Sequence, residues 1–269
     1  MVKGIDCAVK LTARTAAAIR GEGYAFAGRY LVPDSGAFAW KALTRAEAEA
    51  VTEAGLRLLT VWETAAGRAK GGAAAGAADG ALALECARKI GMPEGGIIYF
   101  AVDYDAQADG MSAVEAYLRA ARENTGEYET GVYGSYSVIE EMARRGACAG
   151  FWQCLAWSGG KKSGYLDVYQ GWSGREVAGV SADINECPDM DRAGIWTYAA
   201  EDGAGSGQDE GEEQEMTYYK TIWDVPDYYR AAVKKAMDAG ALKGTGDGIN
   251  VSEDLCRTLT ILDRMGKLD

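Results

Sequence analysis

The sequence predicts an α/β chain: a (β/α)8-type barrel with degenerate later helices, followed by a small all-α domain. Three observations carry this. Short apolar segments alternate with helix-period segments through the first 200 residues. No glycine-rich dinucleotide fingerprint follows the first apolar segment, which disfavours an open nucleotide-binding sheet. A run of small and acidic residues at 200–215 then interrupts the pattern.

Eight strands are expected, at KGIDCAV (3–9), YAFAGRYL (24–31), LRLLTVWE (56–63), GIIYFAVDYD (96–105), YETGVYGS (128–135), GFWQCLAW (150–157), LDVYQGW (166–172) and VSADIN (180–185). About five helices fall between them, several closed by Gly as a C-cap. After residue 147 the connections become short and rich in Gly, Ser and Lys, so the later helices fade. Alternation of this kind implies parallel strands joined by right-handed crossovers. The expected domains are a barrel at 1–199, a flexible linker at 200–215 and a helical unit at 216–269. Residues 201–215 hold seven acids and no base, so the linker repels itself. In the last unit VPDYYRAAVKKAMDAGALKG and VSEDLCRTLTILDRMG read as helices, the first with Pro near its start and the second with Ser252 as N-cap.

Composition excludes several chemistries. The chain has 269 residues, a net charge of −12 and no histidine. Without imidazole there is no Ser-His-Asp or Cys-His nucleophile and no imidazole-built zinc site, so Asp and Glu must do any proton work. The six cysteines form no CxxC and read as small buried hydrophobes. No cofactor is implied. An acidic chain without basic runs is a poor partner for nucleic acid. No apolar window is long enough for a membrane span, and the N-terminal segment lacks the apolar core of a signal peptide, so synthesis in a cytoplasm without a leader is expected.

The residues that invite chemistry are acids at strand ends. On a strand, positions i and i+2 share a face about 6.5–7 Å apart, which pairs Asp103 with Asp105 at the end of IYFAVDYD. Asp6 stands in the first strand, Glu63 ends the third, and Asp183 and Asn185 lie in the last. Such barrels do their chemistry at the C-terminal mouth. Carboxylates crowded there push one pKa up, and that group can serve as an acid beside an ionised neighbour, the arrangement of glycoside hydrolysis. Trp62, Tyr133, Trp152, Gln153, Gln170 and Trp172 lie near other strand ends, and aromatic faces and amides suit sugar rings. A cap or Asx-turn role for a single Asp, and a divalent cation in an oxygen cage, are the competing readings.

The order GID, IYFAVDYD, GVYGSY, WQ, YQGW, ADIN resembles the glycoside-hydrolase-like domain related to glycoside hydrolase family 25, the lysozyme-type muramidases, over roughly residues 1–200. The resemblance implies a TIM-like barrel with few helices in its later half. It places Asp6 as the first-strand acid, Asp103 and Asp105 at the D-x-E positions whose second acid donates the proton, Asp183 as the last-strand acid, and Tyr133 and Gln170 along the cleft. The family has Glu where this chain has Asp105, one methylene shorter; Glu63 could supply the reach. The tail resembles one S-layer-homology-type repeat, a kind that binds cell-wall polymer, and a single copy suggests that several chains pool theirs. Barrel, linker and tail together resemble a phage endolysin of a Gram-positive host, acting at the bacterial cell wall on peptidoglycan. GEEQEM (211–216) could encode an internal start at Met216, giving separately made tails. Two alternatives are a non-catalytic glycan-binding protein that keeps the cleft, and a surface protein anchored by its tail.

Overall fold

Strand period governs what the first unit can be. The computed structural model describes residues 1–198, 218–242, 249 and 251–264; the linker 200–215 and Met216 lie outside them. The chain divides into two compact units, Met1–Asp202 and Gly203–Asp269. In the first, eight strands close a barrel in chain order: β1 (Val2–Asp6), β2 (Phe26–Tyr30), β3 (Arg57–Trp62), β4 (Ile97–Ala101), β5 (Glu129–Gly134), β6 (Gly150–Cys154), β7 (Val168–Val177) and β8 (Val180–Cys187). Five helices surround them: α1 (Ala13–Gly21), α2 (Arg45–Glu53), α3 (Gly72–Ile90), α4 (Met111–Arg122) and α5 (Tyr136–Arg145). Thr12, Thr44 and Ser135 cap α1, α2 and α5 by accepting from the N3 amides.

Along each strand the side chains alternate between two cores. Ile98, Phe100 and Val102 point outward to the helix layer, while Ile97, Tyr99 and Ala101 point into the barrel with Phe26, Leu59, Val61, Trp152 and Val168. Tyr99 is the largest inward group of β4. Its ring fits because β5 and β6 present glycine there: a Cβ on Gly131 would sit 2.7 Å, and one on Gly150 2.8 Å, from Tyr99. The Tyr99 hydroxyl donates to Ala193 O at 2.9 Å.

The expectation of parallel strands throughout holds for β1 to β7 and fails at the last strand. β8 runs antiparallel to both β7 and β1. The reason is the connection: Val177 pairs with Val180 across Ala178 and Gly179, both at positive φ (50° and 78°), a two-residue turn with the hand of a hairpin. A parallel return would need a dozen or more residues. A second correction concerns β4, which ends at Ala101 where the sequence suggested a strand to residue 105.

The second unit contains α6 (Asp227–Asp238) and α7 (Glu253–Arg264), as expected, and adds a minimal antiparallel pair, β9 (Tyr218–Tyr219) with β10 (Val251–Ser252). Its own core holds Val225, Ala232, Val233, Ala236, Val251, Cys256 and Leu259. No helix among the described residues is long and apolar enough to cross a membrane.

The barrel plug makes one expectation concrete. Gly131→Ala should destabilise the barrel by about 1–3 kcal/mol in urea unfolding, because the added methyl meets the Tyr99 ring. Gly164→Ala, where a Cβ would meet nothing within 4 Å, should be near neutral. Equal stability of the two variants would show that Tyr99 does not fill the space the glycines leave.

Candidate active site

The inward phase of the strands runs on past the apolar layer and ends in polar groups. After Leu59 and Val61 comes Glu63; after Tyr99 and Ala101 comes Asp103; Gly4 is followed by Asp6, Gly131 by Tyr133, and Val168 by Gln170. The polar groups so reached, with Val61, Ala101, Tyr30, Trp152 and Asp183, line a cavity of about 160 Å³ at the C-terminal mouth of the barrel. Because β8 runs the other way, Asp183 enters the mouth from early in its strand, directly opposite Asp6 in the ladder.

One wall is a hydrogen-bonded amide network. Gln170 Nε2 donates to Asp6 Oδ2 at 2.8 Å and reaches Asp183 Oδ2 at 3.3 Å. Asn185 Nδ2 donates to the same Asp6 oxygen at 2.7 Å. The amides are themselves oriented: Tyr133 Oη donates to Gln170 Oε1 at 2.9 Å, and Trp152 Nε1 donates to Asn185 Oδ1 at 2.9 Å. Gly174 N donates to Asp183 Oδ1 at 2.8 Å. Burial drives the Asp6 pKa from 3.8 up to about 7; the Asn185 and Gln170 hydrogen bonds oppose this, and the neighbouring Asp183 charge adds to it.

The opposite wall is ionic. Lys41, on the loop after β2, brings Nζ to 3.7 Å from Glu63 Oε2 and 4.0 Å from the centre of the Tyr30 ring. Burial raises the Asp103 pKa, the Glu63 charge raises it further, and Lys41 works against both. The Lys41 pKa is lowered by its own burial, with Glu63 opposing. Burial and Glu63 also hold the Tyr30 hydroxyl in its neutral form, pushing its pKa above the ordinary phenol range. Two walls thus differ in kind: one carboxylate network fixed by neutral amides, one carboxylate pair polarised by an ammonium. Among the described residues, no three His, Cys, Asp or Glu side chains are grouped as a metal ion would need.

The structure brings together Asp6, Glu63, Asp103, Asp183, Tyr133, Trp152 and Gln170 from the sequence-based candidates. Others stand elsewhere. Asp105 is exposed and faces two surface depressions with Gln107, outside the cavity; the strand period that would have turned it inward stops with β4, and the chain bends at Tyr104. Trp62 is 1% exposed and points outward, packed near Phe100 with ring centroids 6.5 Å apart. Gln153 is fully buried and secures the following loop through Lys161 O and Ser163 N. Asn185 is also fully buried and supports Asp6 from behind the cavity. The Trp172 side chain lies outside the described ones. Sequence reasoning missed Lys41 and Tyr30. Tyr30 was legible, since it follows Phe26 and Gly28 at strand period; Lys41 sits in a loop, where no period marks it.

The raised pKa of Asp6 is a stability statement. Between about pH 4 and pH 7 the folded chain holds a proton there that the unfolded chain releases, so this group's contribution falls as pH rises through that window. Asp6→Asn keeps an acceptor for both amides and removes the buried charge. It should be more stable than the native chain by about 1 kcal/mol or more near pH 8, a Tm rise of about 2–4 °C, with the gain gone near pH 4. Differential scanning calorimetry at the two pH values checks this, and a gain that does not depend on pH contradicts it.

Comparison with known proteins agrees with this geometry. Residues 17–229 match the family described as Rv2525c-like, glycoside hydrolase-like domain. The chain is 25% identical over 155 residues to protein FadG of Bacillus subtilis (strain 168), covering 54% of this chain and 27% of that one. It therefore spans about a quarter of the length of the curated relatives it matches. The Tat-secreted protein Rv2525c of Mycobacterium tuberculosis superposes with a TM-score of 0.64 at 24% identity, over 71% of this chain and 97% of that one. GHIP, a glycosyl hydrolase 25 of Streptococcus pneumoniae, superposes with a TM-score of 0.52 at 14% identity, over 73% and 93%. At these identities the two superpositions speak for the fold. On the match over most of its length, the chain belongs to the Rv2525c-like, glycoside hydrolase-like domain family.

Proposed function

We propose that the barrel hydrolyses the glycan strand of bacterial peptidoglycan by a muramidase-like reaction. The observation that carries this is the meeting of four acids from four strands or their ends, Asp6, Glu63, Asp103 and Asp183, in one cavity with the Lys41 ammonium beside Glu63. Family membership and the barrel shared with a glycosyl hydrolase 25 support it.

The environments of the acids suggest their roles. Asp103, with its pKa raised by burial and by Glu63, is the general acid in this reading, replacing Asp105, which stands outside the cavity. Its proton passes to the glycosidic oxygen as the bond from that oxygen to C1 breaks. The positive charge that develops at C1 is met by the carboxylates of Glu63 and Asp183. Water then adds to C1, its proton returns to Asp103, and the acid is regenerated. Lys41 Nζ, 3.7 Å from Glu63 Oε2, places its positive charge beside that member of the pair. Non-catalytic glycan binding is the second reading, and the exposed place of Asp105 is what favours it.

The second unit belongs in this picture as a wall-binding tail like an S-layer-homology repeat, pooled between copies. Barrel and tail together would work as an endolysin at the cell wall. The helix pair with its own apolar core supports such an autonomous role. Removal of residues 200–269 should then abolish sedimentation with purified walls while leaving release of reducing ends from soluble glycan intact.

The catalytic assignment is tested by release of reducing ends from purified peptidoglycan. Asp103→Asn and Glu63→Gln should each lower the rate by about 10²-fold or more, while Asp105→Asn should remain within about twofold of the native chain. Native activity should also fall as pH rises through the raised pKa of Asp103. Full activity of Asp103→Asn would refute the assignment.

A further inference from the structure

We propose that Trp40 and Trp157 are stacking platforms for sugar rings at two opposite edges of the barrel mouth, so that the cleft takes an extended, uncharged glycan strand running from one platform to the other. This deepens the glycan-cleaving reading above and rests on it.

Both indoles are displayed to solvent. Trp40 is 63% and Trp157 is 44% exposed, whereas Trp152 and Tyr133 inside the mouth are packed edge to face at 5.0 Å. An indole held in the open leaves a broad apolar face free to stack on a ligand. Topology places them. Trp40 lies on the connection that leaves β2, and Trp157 on the connection that leaves β6; both connections start at the C-terminal ends of parallel strands, where the cavity opens. In a closed ring of eight strands, β2 and β6 are four places apart, which is as far apart as the mouth allows.

Each platform is tied to the cleft along the chain. Trp40 adjoins Lys41, whose ammonium pairs with Glu63 and whose carbonyl accepts from buried Arg29 at 3.2 Å. Two residues before Trp157, Leu155 N donates to the carbonyl of Gln170 at 2.9 Å, and the Gln170 side chain holds Asp6. Trp157 is also held in a costly backbone state, φ +54°, at roughly 1–2 kcal/mol for a residue with a Cβ. Its surroundings fix it there. Ser158 Oγ donates to Cys154 O at 2.6 Å and accepts from Tyr136 N at 2.9 Å. Gln153 ties Lys161 O at 2.7 Å and Ser163 N at 2.8 Å. A loop so tightly secured could have turned its indole inward; it is built to present it.

The chemistry of the occupant follows from the two ends and the middle. The C–H face of a pyranose ring is apolar and slightly positive, and so complements the negative face of an indole. Between the platforms four acidic side chains face Lys41, and even with Asp6 and Asp103 protonated the cleft has no surplus positive charge to attract a polyanion. A chain of N-acetylated, uncharged sugars meets both conditions.

The test uses the full chain carrying Asp103→Asn, so that the probe stays intact, and calorimetric titration with β-1,4-linked N-acetylglucosamine oligomers. Trp40→Ala and Trp157→Ala should each weaken hexasaccharide binding by about two- to tenfold, and the double variant by about the product. Disaccharide binding at the acids should be unchanged. Trp40→Phe and Trp157→Phe should keep most of the affinity; Trp157→Gly, which relieves the positive φ, replaces the alanine variant if that one does not fold. Hexasaccharide affinity unchanged in both alanine variants overturns the platforms and leaves the catalytic reading standing. No binding of either oligomer by the parent chain overturns both.

Discussion

The acids of this barrel stand on an aromatic column. Tyr99 fills the space beside Gly131 and Gly150; Trp152 packs edge-on against it at 5.9 Å, and Tyr133 against Trp152 at 5.0 Å. From the column two hydrogen bonds rise into the cleft, Trp152 to Asn185 and Tyr133 to Gln170, and both amides end on one oxygen of Asp6. The orientation of the first-strand acid is therefore set by how the barrel interior is filled. Amides can serve here because each is held by an aromatic donor: a free Asn or Gln could present either end, but one whose oxygen is already engaged must offer its nitrogen.

Electrostatically, the cleft keeps its acids apart in character. Asp6 is buried among neutral amides beside Asp183, so its proton is retained up to about pH 7. On the far wall, Lys41 pairs with Glu63, and for Asp103 burial and the Glu63 charge outweigh the opposing pull of Lys41. In the proposed reaction, carboxylates in such unequal surroundings divide the work of donating a proton and of opposing a cation. Each of them comes from a separate strand, so the cleft exists only when the barrel is closed.

Much of this was legible in the sequence because strands repeat every two residues. The eight strands, and the inward turn of Asp6, Glu63, Tyr133 and Gln170, follow from alternation that continues across the end of each apolar run. Alternation misleads where that rule stops acting. Alternation would carry β4 on to Asp105, but the strand ends at Ala101 and its last bond to β5 is Val102 N to Tyr133 O at 2.8 Å, so Asp103 keeps the inward phase and Asp105 does not. Trp62 looks like a cleft residue because aromatics look alike in sequence, whereas its place one step out of phase with Val61 and Glu63 turns it to the helices. The reversal of β8 was signalled by the two-residue Ala178–Gly179 turn, obscured because Ala stands where Asn or Asp would advertise a hairpin. Gln153 and Asn185 belong to the supporting shell, which depends on three-dimensional neighbours that no local pattern encodes. Lys41 reaches the cleft from a loop for the same reason.

The central claim is that these strand-end acids cut a glycan chain with water. Incubation of purified peptidoglycan with the full chain in heavy-oxygen water, followed by mass spectrometry of the released fragments, tests it most directly. The account predicts fragments with one heavy oxygen at a new reducing-end sugar and intact peptide stems. Fragments labelled at a peptide carboxyl, or walls that bind the protein and release no new reducing end, would contradict it.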